Sequence, residues 1–180
     1  MSKKILALSM IAYIGTKSLS AVAMTRGEYN EYRGWQIPSD EDPCEQGYLV
    51  EYADGGKPND ERHKGYISWS PACVFKDAYR ANGSLTFGDV LTALKQGKKV
   101  ARFGWNGKDQ YVVAQSQTTT TEASKIWNLH NKAHAETIGG YIDVAPYCTL
   151  KTAQDTLAMG WTPSTGDLFA EDWMVIDNPL

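Results

Sequence analysis

Apolar residues recur along this chain in two rhythms, every second position and every third to fourth, separated by glycine, proline and polar clusters. Alternation over Gly47-Tyr48-Leu49-Val50-Glu51-Tyr52 predicts a strand. The turn residues Asp54-Gly55-Gly56 and the charged stretch 57–64 separate it from a second arm, Tyr66-Ile67-Ser68-Trp69. Ahead of this hairpin, Thr25 followed by Glu28 forms a capping box that opens a short helix ending near Gly34, and a polar loop runs from Pro38 to Gln46. Behind it, Ser70-Pro71 reads as an N-cap and first-turn proline, with Val74, Phe75 and Ala78 on one helical face through Arg80. Ala81-Asn82-Gly83-Ser84 is the clearest break in the pattern.

The second half restarts on another capping box, Thr86 with Asp89. Phe87, Val90, Leu91 and Leu94 fall at helical spacing, and Gly97 closes the helix in the C′ position. Strands are predicted at Val100-Ala101-Arg102-Phe103 and Tyr111-Val112-Val113-Ala114, joined by a tight turn at Asn106-Gly107. The run Gln115 to Thr121 has little apolar content and predicts an exposed, mobile loop. A helix from Ser124 to Ile138 carries His130 and His134 and stops at Gly139-Gly140. Strands follow at Tyr141 to Ala145, continuing into Cys148 to Ala153, then at Thr156 to Trp161 and Trp173 to Asp177. Between the last two, Ser164-Thr165-Gly166-Asp167 feeds one helical turn. The pattern gives an α+β chain with no internal repeat: a small N-terminal module over residues 1–83, and a C-terminal domain over 84–180 with a small antiparallel sheet and packed helices.

The N-terminus admits two readings. Lys3, Lys4, the apolar stretch Ile5 to Ile14 and the small-x-small run Ala21-Val22-Ala23 follow the order of a secretory signal. Tyr13, Gly15, Thr16 and Lys17 interrupt that order, and about ten apolar residues are too few to span a membrane. The same stretch therefore also reads as a buried strand or helix of the first module.

Composition narrows the partners. The 180 residues carry 18 Lys+Arg against 21 Asp+Glu, so no basic excess is available to neutralise a duplex backbone, and duplex nucleic acid is excluded as the main partner. Cys44, Cys73 and Cys148 are odd in number and widely spaced, which fits neither a disulfide framework nor a CxxC metal pair; buried thiols are expected. Six Trp and ten Tyr supply core volume and also flat faces on which a base can stack.

No GxSxG elbow, GxxxxGK[ST] phosphate loop, GxGxxG or HExxH is present, so no catalytic residue is assigned. His130 and His134 stand at i and i+4, a spacing zinc can use, but a third ligand is not evident and no metal is expected. Asp167, Glu171 and Asp172 form an acidic cluster in which no spacing singles out a catalytic pair; there Asp167 also reads as a cap of the helical turn. Two segments stand out, Gly104-Trp105-Asn106-Gly107 and Gly160-Trp161-Thr162-Pro163-Ser164-Thr165-Gly166-Asp167. Each joins an aromatic plane to glycines and small hydrogen-bonding groups, which suits a small ligand bearing a base and sugar hydroxyls. Trp105 and Trp161 would stack on the base, and Asn106 and Asp167 would read ring edges or hydroxyls. Arg102, Lys108, Ser164 and Thr165 would meet phosphates. The alternative for both tryptophans is a place in the core.

Thr86-Phe87-Gly88-Asp89-Val90-Leu91, Leu94 to Arg102 and Gly104-Trp105-Asn106-Gly107-Lys108 closely resemble the opening of the phage Thoeris anti-defence 2 family. The likeness continues in His130-Asn131-Lys132-Ala133-His134-Ala135-Glu136, Leu150-Lys151-Thr152-Ala153 and Asp167-Leu168-Phe169-Ala170-Glu171-Asp172-Trp173, and covers Leu85 to Asp177. The first half resembles a small module of unassigned activity that precedes this domain in phage proteins, with Ala21 to Ala23 inside its fold, so the resemblance favours a folded element over a signal peptide. The resemblance implies a non-enzymatic sponge without a cofactor, acting in the cytoplasm of an infected bacterium. It would be a homotetramer that sequesters cyclic nucleotide-derived signals, glycocyclic ADP-ribose or cyclic oligonucleotides. Departures beside the motifs, at Phe103, Asp109, Thr162-Pro163, Thr165-Gly166 and Asp155-Thr156, bear on which messenger fits. Two other functions stay open: a nucleotide-signal hydrolase using His130, His134 or the Asp167/Asp172 pair, and a phage adaptor that binds a host protein.

Overall fold

A computed structural model describes residues 17–54 and 56–176. The expected element at Ile5 to Ile14, the turn position Gly55 and the strand end at Asp177 lie outside the described residues. The chain divides into two compact units, residues 1–79 and 80–180. Asn82, Gly83 and Leu85 belong to the second. Asn82 Nδ2 donates to the Val175 carbonyl, and the N–H groups of Gly83 and Leu85 both donate to the Trp173 carbonyl.

The first unit is a three-stranded antiparallel sheet with two helices. Its elements are β1 (Ser20–Ala23), α1 (Arg26–Arg33), β2 (Gly47–Tyr52), β3 (Tyr66–Pro71) and α2 (Ala72–Ala78), with sheet order β1-β2-β3. The candidate cleavage segment Ala21 to Ala23 is strand β1, with Ala21 opposite Val50 and Ala23 opposite Tyr48. Thr25 and Glu28 complete the expected capping box, and Gly34 ends α1 at a φ of 67°. Tyr29, Leu49 and Ile67 form the core. Ser70 does not cap α2. It pairs with Tyr48 in the sheet, and Pro71 takes the N-cap position without a side-chain bond. The helix stops at Ala78, short of the expected Arg80.

The second unit holds α3 (Phe87–Lys95), β4 (Val100–Arg102), β5 (Tyr111–Gln115), β6 (Thr119–Glu122), a 3₁₀ turn (Ala123–Lys125) and α4 (Leu129–Thr137). These are followed by β7 (Tyr141–Val144), β8 (Tyr147–Lys151), β9 (Leu157–Trp161), α5 (Thr165–Leu168) and β10 (Trp173–Val175). Five strands form one antiparallel sheet in the order β10-β4-β5-β8-β9, and β6-β7 is a separate ribbon. The apolar face of α3 packs on this sheet, burying Val90, Ala93 and Leu94 with Val100, Val112 and Trp173. Strand alternation sends Ala114, Cys148 and Leu150 toward that core and leaves Val113, Gln115, Tyr147 and Thr149 on the other face. At the far edge, β9 keeps Leu157 and Met159 about 60% exposed. The α+β class and the antiparallel sheet with packed helices agree with the sequence.

Three expectations change here. The connection from β4 to β5 runs from Phe103 to Gln110 rather than through a tight Asn106-Gly107 turn, and its left-handed residue is Asp109 at a φ of 54°. The expected mobile loop contains β6. Its threonines are β-branched and pair with β7, and Thr120 Oγ1 donates to Asp143 Oδ1 at 2.7 Å across the ribbon. The helix expected from Ser124 is broken: Ile126 is extended, and Asn128 accepts from the N–H groups of His130 and Asn131, opening α4 anew. The expectation for the thiols changes as well. Cys44 and Cys73 are exposed and Cys148 is half-buried, with burial pushing its thiol pKa up.

Candidate ligand-binding site

Arg102, at the end of β4, reaches across the sheet terminus to α5 and the segment before β10. Its Nε donates to Asp172 Oδ1 at 2.8 Å and its Nη1 to Asp167 Oδ1 at 2.9 Å. Asp167 also accepts the Trp105 indole N–H at 3.1 Å, while its other oxygen accepts the backbone N–H and the hydroxyl of Ser164 at 2.9 and 2.7 Å. Ser164 and Asp167 form the capping box of α5, with Ser164 rather than Asp167 at the N-cap. The Trp173 indole donates to the Asp167 carbonyl, and the Gly104 N–H to Asp172 Oδ2. Trp105 stands edge-on to Trp161 and Trp173, with ring centroids 6.3 and 5.4 Å away.

Burial pushes the Asp167 carboxyl up. The hydrogen bonds from Ser164, Arg102 and Trp105 outweigh it and hold the group at about 2. Asp172 is lowered by the Arg102 bond, against a smaller effect of burial. The cluster therefore stays ionised and internally paired at neutral pH. Both oxygens of Asp167 are engaged within the chain, so its role is to fix Arg102 and Trp105. The structure brings Arg102, Trp105, Trp161, Ser164 and Asp167 together, while Asn106, Lys108, Ser164 and Thr165 keep exposed side chains. His130 and His134 are exposed on α4, and among the described residues no group of three His, Cys, Asp or Glu is placed to hold a metal. Among the same residues, no helix is long and apolar enough to cross a membrane.

A cavity of about 690 Å³ opens on the sheet face away from α3, between the β6-β7 ribbon, the 3₁₀ turn and the ends of β5, β8 and β9. Its size suits a nucleotide-sized ligand. Trp127, 82% exposed, and the half-buried Tyr147 supply aromatic faces. Asn128, Asn131 and Gln115 supply amides, Asp143 a carboxylate and Lys125 a cation. Asn128 spends its oxygen on capping α4, which leaves its amide N–H groups to donate. On β9, Gly160 lines the cavity while its neighbour Trp161 packs against the Trp105 side. The sequence reading placed no ligand here. It treated the threonine run as a loop and drew Trp127 inside an unbroken helix, although Asn128 is the kind of residue that starts one.

Residues 85–176 match the model of a family described as the Thoeris anti-defense 2-like domain. The chain is also 35% identical over 92 residues to Thoeris anti-defense 2 of Bacillus phage SP01, an alignment that covers 51% of this chain and 94% of the phage protein.

Proposed function

The chain belongs to the Thoeris anti-defense 2-like family, and from that premise we propose that it is a phage anti-defence sponge. It binds a cyclic nucleotide-derived immune signal, glycocyclic ADP-ribose or a cyclic oligonucleotide, and releases it unchanged. The mechanism is mass action: a tight, abundant binder lowers free messenger in the infected cell's cytoplasm, and the effector downstream is not switched on.

The observation that carries the reading is the cavity beside Trp127 and Tyr147, where planar rings, amides and a cation converge in a volume that fits a nucleotide. Exposed Asn106, Lys108, Ser164 and Thr165 offer a second surface beside Trp105 and Trp161, with Arg102 and Asp167 as its scaffold. On that second surface binding is favoured over hydrolysis because Asp167 and Asp172, the pair a hydrolase would use there, are both held by Arg102. The uncovered face and edge at Leu157 and Met159 support a homo-oligomer, a tetramer in this proposal.

The test is to mix the protein with glycocyclic ADP-ribose and a panel of cyclic di- and trinucleotides, filter away free ligand, denature the protein and identify the released mass. Recovery of an intact messenger is expected. An altered mass would make the protein an enzyme, and no retention would leave the adaptor reading standing.

A further inference from the structure

The first unit carries a cavity of its own, of about 360 Å³, built around α1 and the loop that follows it. Tyr29 and Asn30, each 6% exposed, line it beside Trp35, which stays 53% exposed. Trp35 is held in place. Its backbone N–H donates to the Asn30 carbonyl at 2.8 Å, its ring stands edge-on to Tyr29, and the Arg33 guanidinium covers it at 4.3 Å. Arg26 and Glu41 complete the lining, with Arg26 Nε 2.9 Å from Glu41 Oε2. That contact is an ion pair but not an aligned hydrogen bond, so the buried Nε–H of Arg26 has no acceptor.

The lining therefore offers a ring face, a carboxylate that accepts and a guanidinium that donates, with the two charged groups side by side. A simple anion is disfavoured, because Arg26 is already flanked by Glu41 and, at 3.9 Å, by Glu45. A purely apolar guest would leave the Nε–H of Arg26 without an acceptor. Guanine matches all three features. Its N1–H and N2–H groups donate to a carboxylate, its neighbouring O6 and N7 accept from an arginine, and its ring stacks on an indole. Adenine sets an acceptor, N1, against Glu41 where guanine sets a donor.

We propose that this cavity is a guanine-binding site that takes the base of a guanine nucleotide, with Trp35 stacking on the ring and Glu41 and Arg26 reading its edges. The inference does not depend on the function assigned to the second unit. The experiment titrates the full chain with GMP and with AMP by calorimetry, for the wild type and for Trp35→Ala, Trp35→Phe, Glu41→Gln and Trp127→Ala, with circular dichroism to confirm folding. GMP is expected to bind at least about tenfold more tightly than AMP, as loss of one paired edge contact implies. Trp35→Ala should cost about tenfold or more and Trp35→Phe much less, because a ring is retained. Glu41→Gln should narrow the preference for GMP over AMP, whereas Trp127→Ala, in the cavity of the second unit, should not abolish GMP binding. No GMP binding, equal affinity for the two nucleotides, or binding that survives Trp35→Ala and disappears with Trp127→Ala would overturn the proposal.

Discussion

Trp105 donates its indole N–H to Asp167 across 3.1 Å, tying the connection after β4 to the capping box of α5. The same carboxylate takes Arg102 and both donors of Ser164, so one 8%-exposed side chain joins segments more than sixty residues apart. Asp167→Ala removes the acceptor and leaves a part-buried guanidinium and indole with fewer partners. Because Arg102 keeps Asp172, the expected loss sits at the lower end for a broken buried pair, about 3 kcal/mol. Urea denaturation of the variant beside the wild type measures it, and a loss below about 0.5 kcal/mol would show the cluster to be dispensable.

Acid should weaken the second unit in a defined window. Asp167 titrates at about 2 in the folded protein against an ordinary value of 3.8. A lowered carboxyl contributes stability that is complete above the unfolded value and is lost as pH falls through the folded one. The expected loss is roughly 2 kcal/mol between about pH 4 and pH 2, with Asp172 shifted in the same direction. Glu51 and Asp60 in the first unit are lowered too, so the informative comparison is with Asp167→Asn. That variant should show a shallower acid dependence of its urea midpoint, and an unchanged slope would remove Asp167 as the source.

Trp127 is 82% exposed, and truncating it should leave the fold intact. If it stacks on the messenger, Trp127→Ala weakens retention by about 1 to 3 kcal/mol, or about 5- to 150-fold. Trp105→Ala probes the other surface, but it also removes a ring packed on the core and should lower the melting temperature. Binding isotherms for both variants, taken well below their melting points, decide which surface holds the ligand.

Strand β9 is an edge without a charged residue over Leu157 to Trp161, and it exposes Leu157 and Met159. Leu157→Glu with Met159→Glu should shift the protein toward a smaller species in native mass spectrometry while preserving its circular dichroism. A wild type that is already monomeric, or a double variant of unchanged mass, counts against an assembly through this edge.

The pieces legible in the sequence were those whose hydrogen bonds close over three or four residues. The capping boxes Thr25/Glu28 and Thr86/Asp89 are both present where the residue types called for them, and so is the glycine end at Gly34. Alternation likewise marked β2, and short runs between turn residues marked β3, β5 and β9, with only small changes of boundary. Local rules failed where polar residues found partners at a distance. Thr119 to Glu122 is a strand because Tyr141 to Val144 lies opposite it, and Ser70 is in the sheet because Tyr48 is.

The sequence by itself determined the α+β class, the capping boxes of α1 and α3 and the family motifs around Trp105 and Asp167. Each rests on short-range periodicity or on side-chain bonds within a turn, which a chain carries wherever it goes. Only the tertiary structure decided that Asp167 is consumed by Arg102 and Trp105, which are 65 and 62 residues away along the chain. It alone brought Trp127, Tyr147 and Gly160 around one cavity, and Trp35 and Glu41 around another. Such sites depend on which strand pairs with which and on what the pairing leaves uncovered. Those outcomes depend on long-range closure and burial, for which spacing along the sequence holds no record.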